Sequence, residues 1–81
     1  MSKILKFSAN WCGPCKLMKP VVLKAESEGV LVEHIDIDSQ PEKAQEYGIT
    51  SVPTFVKLVD NSEASRHVGV MNINQFRLFA Q

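Results

Sequence analysis

The spacing of apolar residues changes several times along the chain, and each change marks an element. Lys3-Ile-Leu-Lys-Phe-Ser8 is short, apolar and β-prone, and predicts a strand. Ala9-Asn10-Trp11 reads as a loop. From Cys12 the period becomes helical, with Leu17, Met18, Val21, Val22 and Ala25 on one stripe. Pro20 falls inside that stripe and predicts a kink, because it lacks an N–H and crowds the preceding turn. Gly29 is a natural stop. Residues 30–37 are apolar and β-branched with Glu33, His34 and Asp36 interspersed, which predicts a second strand. Ser39-Gln-Pro-Glu42 fits a capping box, with Pro41 in the first turn of a short helix ending at Tyr47-Gly48. Thr54 to Val59 predicts a third strand, Asp60-Asn61-Ser62 a turn, and Ala64 to Val70 a fourth strand, making 54–70 a hairpin. Asn72, with Gln75 in the box position, opens a last helix whose Ile73, Phe76 and Phe79 or Ala80 share a face.

The resulting order is βαβ, a short helix, then ββα, an α/β chain. The connection over 9–29 is long enough for a right-handed crossover between two parallel strands, whereas the hairpin must be antiparallel. A four-stranded mixed sheet flanked by helices on both faces is the expected architecture.

Composition narrows the function. With 81 residues, 1–81 is expected to form a single domain, near the lower limit for a self-sufficient core. Nine Lys+Arg balance nine Asp+Glu, so no overall field draws the chain to nucleic acid or to an anionic membrane. No apolar run exceeds three residues, which excludes a spanning helix. Met1-Ser-Lys-Ile-Leu-Lys-Phe7 has charges inside its apolar stretch and does not read as a signal peptide.

The chemistry rests on two cysteines, Cys12 and Cys15. A disulfide between them would close almost no loop, so it is a poor structural staple. A redox dithiol or a metal ligand pair in a reducing compartment is expected instead. The alternatives are two independent buried thiols, or half a zinc site completed by a partner or by His34 and His67, which lack a zinc-motif spacing. The pair sits where a strand gives way to a helix. The first N–H groups of a helix have no intrahelical partners, and about half a positive charge stands behind them. A sulfur near the N-cap is stabilised there as thiolate, which makes Cys12 the candidate attacking group. Cys15, almost one turn later, is the candidate buried resolving thiol that closes the disulfide and releases the partner. Gly13 and Pro14 shape the turn, and Pro14 suits a helix start. Lys16 and Lys19 lie in the first turns and Glu26 and Glu28 near the end, the reverse of what the helix dipole prefers. They are either solvated surface charges or a source of positive potential near Cys12.

Phe7-Ser-Ala-Asn-Trp-Cys-Gly-Pro-Cys-Lys16 resembles the active-site segment of the thioredoxin family, in which Trp-Cys-Gly-Pro-Cys is the thioredoxin form of the motif. Met18 and Pro20, Ile35-Asp-Ile-Asp38, Tyr47-Gly-Ile-Thr-Ser-Val-Pro-Thr54 and Val68-Gly69 resemble further family segments in the same order. The resemblance covers about residues 3–80 and implies a minimal thioredoxin fold that starts at the family's second strand. It implies that Pro53 is the family's cis-proline, presenting the Val52 backbone to an extended substrate segment, with Gly69 lining the same groove. Without it, Pro53 would read as a trans proline opening a strand. Trp11 becomes either a packing residue or the flat apolar rim that meets partner proteins.

Three positions depart from the family pattern. Lys6 stands where thioredoxins carry a buried Asp beneath the cysteines. His34 stands at the family's partner lysine, and Ser8 where a second Trp is common. Lys6 either snorkels to solvent or lowers the Cys15 pKa by attraction, with His34 as proton acceptor.

The resemblance implies a cytoplasmic, monomeric thiol–disulfide oxidoreductase that reduces disulfide-containing proteins, with no bound cofactor or metal. Gly-Pro between the cysteines implies electrons from NADPH through thioredoxin reductase. Glutaredoxins typically carry Pro-Tyr there, and their second glycine and following Asp are replaced by Gly69-Val-Met-Asn72. The short chain keeps glutathione as the alternative donor, and a non-catalytic binding module on the same fold is a further reading. Ribonucleotide reductase and peroxide-handling enzymes are substrates that small thioredoxins serve.

Overall fold

Residues 1–81 are all described by the computed structural model. The elements are β1 (Ser2–Ser8), α1 (Gly13–Leu17), α2 (Lys19–Ser27), β2 (Val32–Asp36), α3 (Pro41–Glu46), β3 (Thr54–Val59), β4 (Ser62–Val68) and α4 (Ile73–Ala80). The four strands form one sheet in the order β2-β1-β3-β4. β1 pairs with β2 in parallel, Lys6 opposite His34, and with β3 antiparallel, Lys6 opposite Phe55. β3 and β4 form the expected hairpin.

Side chains alternate across β1, and each parity meets a different cluster. Ile4 and Phe55 pack with Met18, Val22, Ala25, Met71 and Phe76, so this face carries α2 and α4. Leu5 and Phe7 pack with Ile35, Val56 and Leu58, with Ala44 and Tyr47 of the α3 region against them. Lys6 shares the parity of Ile4 and therefore faces α2.

Four boundaries differ from the sequence expectation. The kink at Pro20 is a full break. Met18 ends α1, its N–H bonding the Cys15 carbonyl at 3.2 Å, and α2 restarts at Lys19 with Pro20 in its first turn, where a missing N–H costs little. The second strand is confined to 32–36, with Val30 and Leu31 leading into it. The Ser39–Glu42 capping box does not form. Ser39 and Gln40 N–H both bond the Asp36 carbonyl, at 3.1 and 2.8 Å, so the helix starts only at Pro41, with Gln40 as an N-cap lacking a side-chain bond. β4 spans 62–68 rather than 64–70, because Asp60 and Asn61 take φ of 51° and 69° and make a two-residue turn. The Asn72–Gln75 capping box forms as expected, with reciprocal bonds of 2.8 and 2.9 Å.

Candidate active site

β1 runs out at Ser8, and Cys12 becomes the N-cap of α1 with extended φ and ψ of −88° and 110°. Its sulfur accepts the Cys15 backbone N–H at 3.1 Å, so the sulfur occupies the capping position usually taken by an oxygen. Cys12 and Cys15 are disulfide-bonded, with Cα atoms 5.3 Å apart. Both residues are buried, each 4% exposed, so burial does not single out Cys15 as expected. The N-cap position does separate them.

The backbone around Val52 closes over the same sulfur. The Val52 carbonyl lies 3.7 Å from Cys12 Sγ, and the Val52–Pro53 peptide bond is cis. Gly69 donates its N–H to the Pro53 carbonyl at 2.8 Å and has φ of 103°, a conformation that favours glycine. The structure thus brings together Cys12, Val52, Pro53 and Gly69 from separate parts of the chain. Trp11 is 68% exposed, which removes the packing reading, and its Nε1 donates to Asp38 Oδ2 at 3.0 Å. Gly13, Pro14 and Lys16 are exposed on the helix start.

On the α2 face lies Lys6, only 5% exposed, with no ion pair. It lines a cavity of about 110 Å³ together with Cys15, Lys16 and Lys19. Burial first, and then the Lys19 charge, hold the Lys6 pKa below the ordinary lysine value of 10.5, with Glu26 opposing in part. No buried side-chain nitrogen or oxygen lacks a partner, so the Lys6 ammonium, which makes no side-chain hydrogen bond, keeps some contact with solvent. Lys6 is thus buried along most of its length, with its charged end at the solvent boundary. His34 is half-exposed on edge strand β2 and bonds Glu26 at 3.2 Å. It does not line the Cys15 cavity. His67 lies on β4, the opposite edge, and no group of three His, Cys, Asp or Glu converges to hold a metal, so His34 and His67 do not complete a zinc site with the cysteines.

The thioredoxin family model matches residues 1–81. The chain belongs to the thioredoxin family. It is 42% identical over 69 residues to the thioredoxin of Chlamydia caviae, covering 83% of this chain and 68% of that protein. It is 35% identical over 69 residues to the thioredoxin of Mycobacterium tuberculosis, covering 82% and 60% respectively. Among solved structures, a mutant thioredoxin from Halobacterium salinarum superposes with a TM-score of 0.93 at 30% identity, over 98% of this chain and 71% of that one. Fasciola hepatica thioredoxin gives 0.85 at 34% identity, over 98% and 77%. The chain spans about two thirds of the length of the relatives it matches first. With a Cys12–Cys15 pair in a thioredoxin fold, it is a thiol–disulfide oxidoreductase, and the dithiol is its own redox group, so membership implies no bound cofactor. No helix is long and apolar enough to cross a membrane.

Lys6, Lys16 and Lys19 are the charged residues lining this cavity. Two residues of the site went unassigned in the sequence. Asp38, which holds Trp11, was visible only as part of a strand end. Ile37, next to it in sequence, packs against the cluster of Ala9, Cys12 and Cys15. A lowered Lys6 pKa means that the folded chain disfavours the ammonium. That cost is present at every pH below the folded pKa and disappears as pH rises towards the unfolded value. Lys6→Met is therefore expected to stabilise the chain at pH 7 by about 1 kcal/mol, the low end for replacing a buried charge, because the head reaches solvent. Urea unfolding of both proteins should show the gap narrowing as pH approaches 10.5. An unchanged or lower midpoint for the variant at pH 7 would contradict this account of Lys6.

Proposed function

We propose that Cys12 attacks and Cys15 resolves in the reduction of protein disulfides. The observation that carries the assignment is the Cys15 N–H bonded to Cys12 Sγ at 3.1 Å. That donor and the helix dipole favour negative charge on Cys12. In the first step Cys12 thiolate attacks a substrate disulfide. A Cys12–substrate bond forms, the substrate S–S bond breaks, and one substrate sulfur leaves as a thiolate that takes a proton. Cys15 then gives up its proton to solvent and attacks Cys12 Sγ, and the Cys12–substrate S–S bond breaks. The Cys12–Cys15 disulfide forms and the second substrate sulfur leaves, so two electrons pass to the substrate. The Lys6, Lys16 and Lys19 charges favour the Cys15 thiolate in this second step. His34 bonds Glu26 at 3.2 Å and lines a second, neighbouring pocket together with Lys6 and Lys19. Exposed Trp11 offers a flat docking surface, and Val52, Pro53 and Gly69 offer backbone to an extended substrate segment. Gly13 and Pro14 keep the two sulfurs one turn apart.

The partners of this reading are disulfide-containing proteins, ribonucleotide reductase among them, and thioredoxin reductase, which returns electrons from NADPH. Glutathione is the alternative donor. A monomeric chain acting in the cytoplasm belongs to the same reading and rests on membership of the thioredoxin family. Limited alkylation of the reduced protein near neutral pH, followed by peptide mass mapping, tests the two roles. Cys12 should be labelled well ahead of Cys15. Labelling of Cys15 first, or of both together, would overturn the assignment.

A further inference from the structure

We propose that the lysine-walled cavity beside Cys15 binds a small oxyanion of the phosphate or sulfate class. Lys6, Lys16 and Lys19 converge on it with the polar side chains of Ser8 and Asn10, and no acidic residue lines it. Most cations elsewhere in the chain have acids beside them. Lys3 and Lys43 pair with Glu33, Arg66 with Glu63, and Arg77 with Glu28. None of the three cavity lysines has an ion pair. The one acid that acts on Lys6, Glu26, is engaged by His34 at 3.2 Å.

Lys6 separates this cavity from a patch of surface lysines. Lys6 is only 5% exposed and sits in mid-strand between two paired neighbours, whereas Lys16 and Lys19 are exposed. A charge held in a partly desolvated wall, with two more beside it, interacts with a counter-charge far more strongly than a screened surface lysine does. Burial first, and then the neighbouring Lys19 charge, hold the Lys6 pKa below the ordinary lysine value, and an anion bound beside them would oppose both. Size limits the ligand. The cavity volume of about 110 Å³ is several times the roughly 10–15 Å³ that one water needs, and well below the roughly 300 Å³ at which drug-sized pockets begin. A tetrahedral ion with oxygens on all sides suits a cavity lined by three lysines and by Ser8 and Asn10, residue types that can all donate to it.

The proposal stands on the cavity and does not depend on the redox roles of the cysteines. Its test uses inorganic phosphate added to the oxidised 81-residue chain at pH 7, with ionic strength held constant by chloride and the backbone amides followed by NMR. Saturable shifts confined to Ser8, Asn10, Lys16 and their neighbours are expected. Lys6→Met should weaken binding by roughly tenfold or more, the loss expected for one buried charge-assisted contact. Lys24→Met, at an exposed lysine outside the cavity, should leave binding unchanged. If Lys6→Met does not fold by circular dichroism, Lys19→Met serves in its place and should weaken binding several-fold. Absence of saturable shifts at the cavity, or equal affinity in a folded cavity variant, would overturn the proposal. Because disulfide reduction is read in a separate assay, loss of one reading leaves the other standing.

Discussion

Cys12→Ser is expected to reduce protein disulfides no faster than background, while Cys15→Ser is expected to stop after one half-reaction and hold its substrate as a mixed disulfide. The asymmetry follows from position. Cys12 caps α1, where the Cys15 N–H at 3.1 Å and the helix dipole favour a thiolate, and a serine hydroxyl there is too weakly acidic and too poor a nucleophile to replace it. Cys15 is needed only afterwards, when its sulfur, within disulfide reach across 5.3 Å of Cα separation, displaces the substrate. Removing it leaves the first attack intact and takes away the exit. Mass spectrometry after mixing each variant with an oxidised protein substrate distinguishes the two. The Cys15→Ser protein should carry the substrate's mass, released by dithiothreitol, and the Cys12→Ser protein should not. Adducts of equal yield on both variants would mean that either sulfur can attack.

The second large effect concerns stability. Phe55→Ala should destabilise the chain by about 3–5 kcal/mol, the usual range for emptying a buried aromatic site. Phe55 lies on a central strand, is fully buried, and stacks on Phe76 of α4 at 5.4 Å between ring centres. It is also opposite Lys6 in the register, so its loss loosens the strand that carries the cavity wall. A chain of this length has a total stability of only about 4–12 kcal/mol, so the variant is expected to be close to unfolded at 37 °C. Urea midpoints measured beside Leu23→Ala, which truncates a 66% exposed leucine, provide the scale, since that surface change should stay within about 0.5 kcal/mol. Equal midpoints for the two variants would contradict the placement of Phe55 at the centre of the core.

What could be read from the chain alone follows the range of the interactions. The strand at β1 was legible because Lys3–Ser8 is a short β-prone run, and the Asn72–Gln75 cap because its partners are three residues apart; that Ile4 faces one cluster and Leu5 and Phe7 the other appears in the fold. The Ser39–Glu42 box had the same spacing but failed, since the turn after β2 drew the Ser39 and Gln40 N–H groups onto Asp36. Val30 and Leu31 looked like strand because they are apolar, yet the ladder hydrogen bonds decide where a strand starts. The cysteine pair was legible as chemistry because a helix start needs only its neighbours in sequence. The approach of Val52 to Cys12, the bond from Trp11 to Asp38, and the gathering of Lys6 with Lys16 and Lys19 are long-range products of the register. Family resemblance anticipated the first. The other two needed the fold: the resemblance set Lys6 beneath the cysteines, but its gathering with Lys16 and Lys19 at one cavity is visible only in the folded chain.

The most direct test of the whole account is insulin reduction coupled to NADPH, run with thioredoxin reductase and in parallel with glutathione and glutathione reductase. The account predicts sustained NADPH oxidation with thioredoxin reductase, matched by insulin thiols and abolished by Cys12→Ser. Folded protein that turns over with neither donor would contradict it.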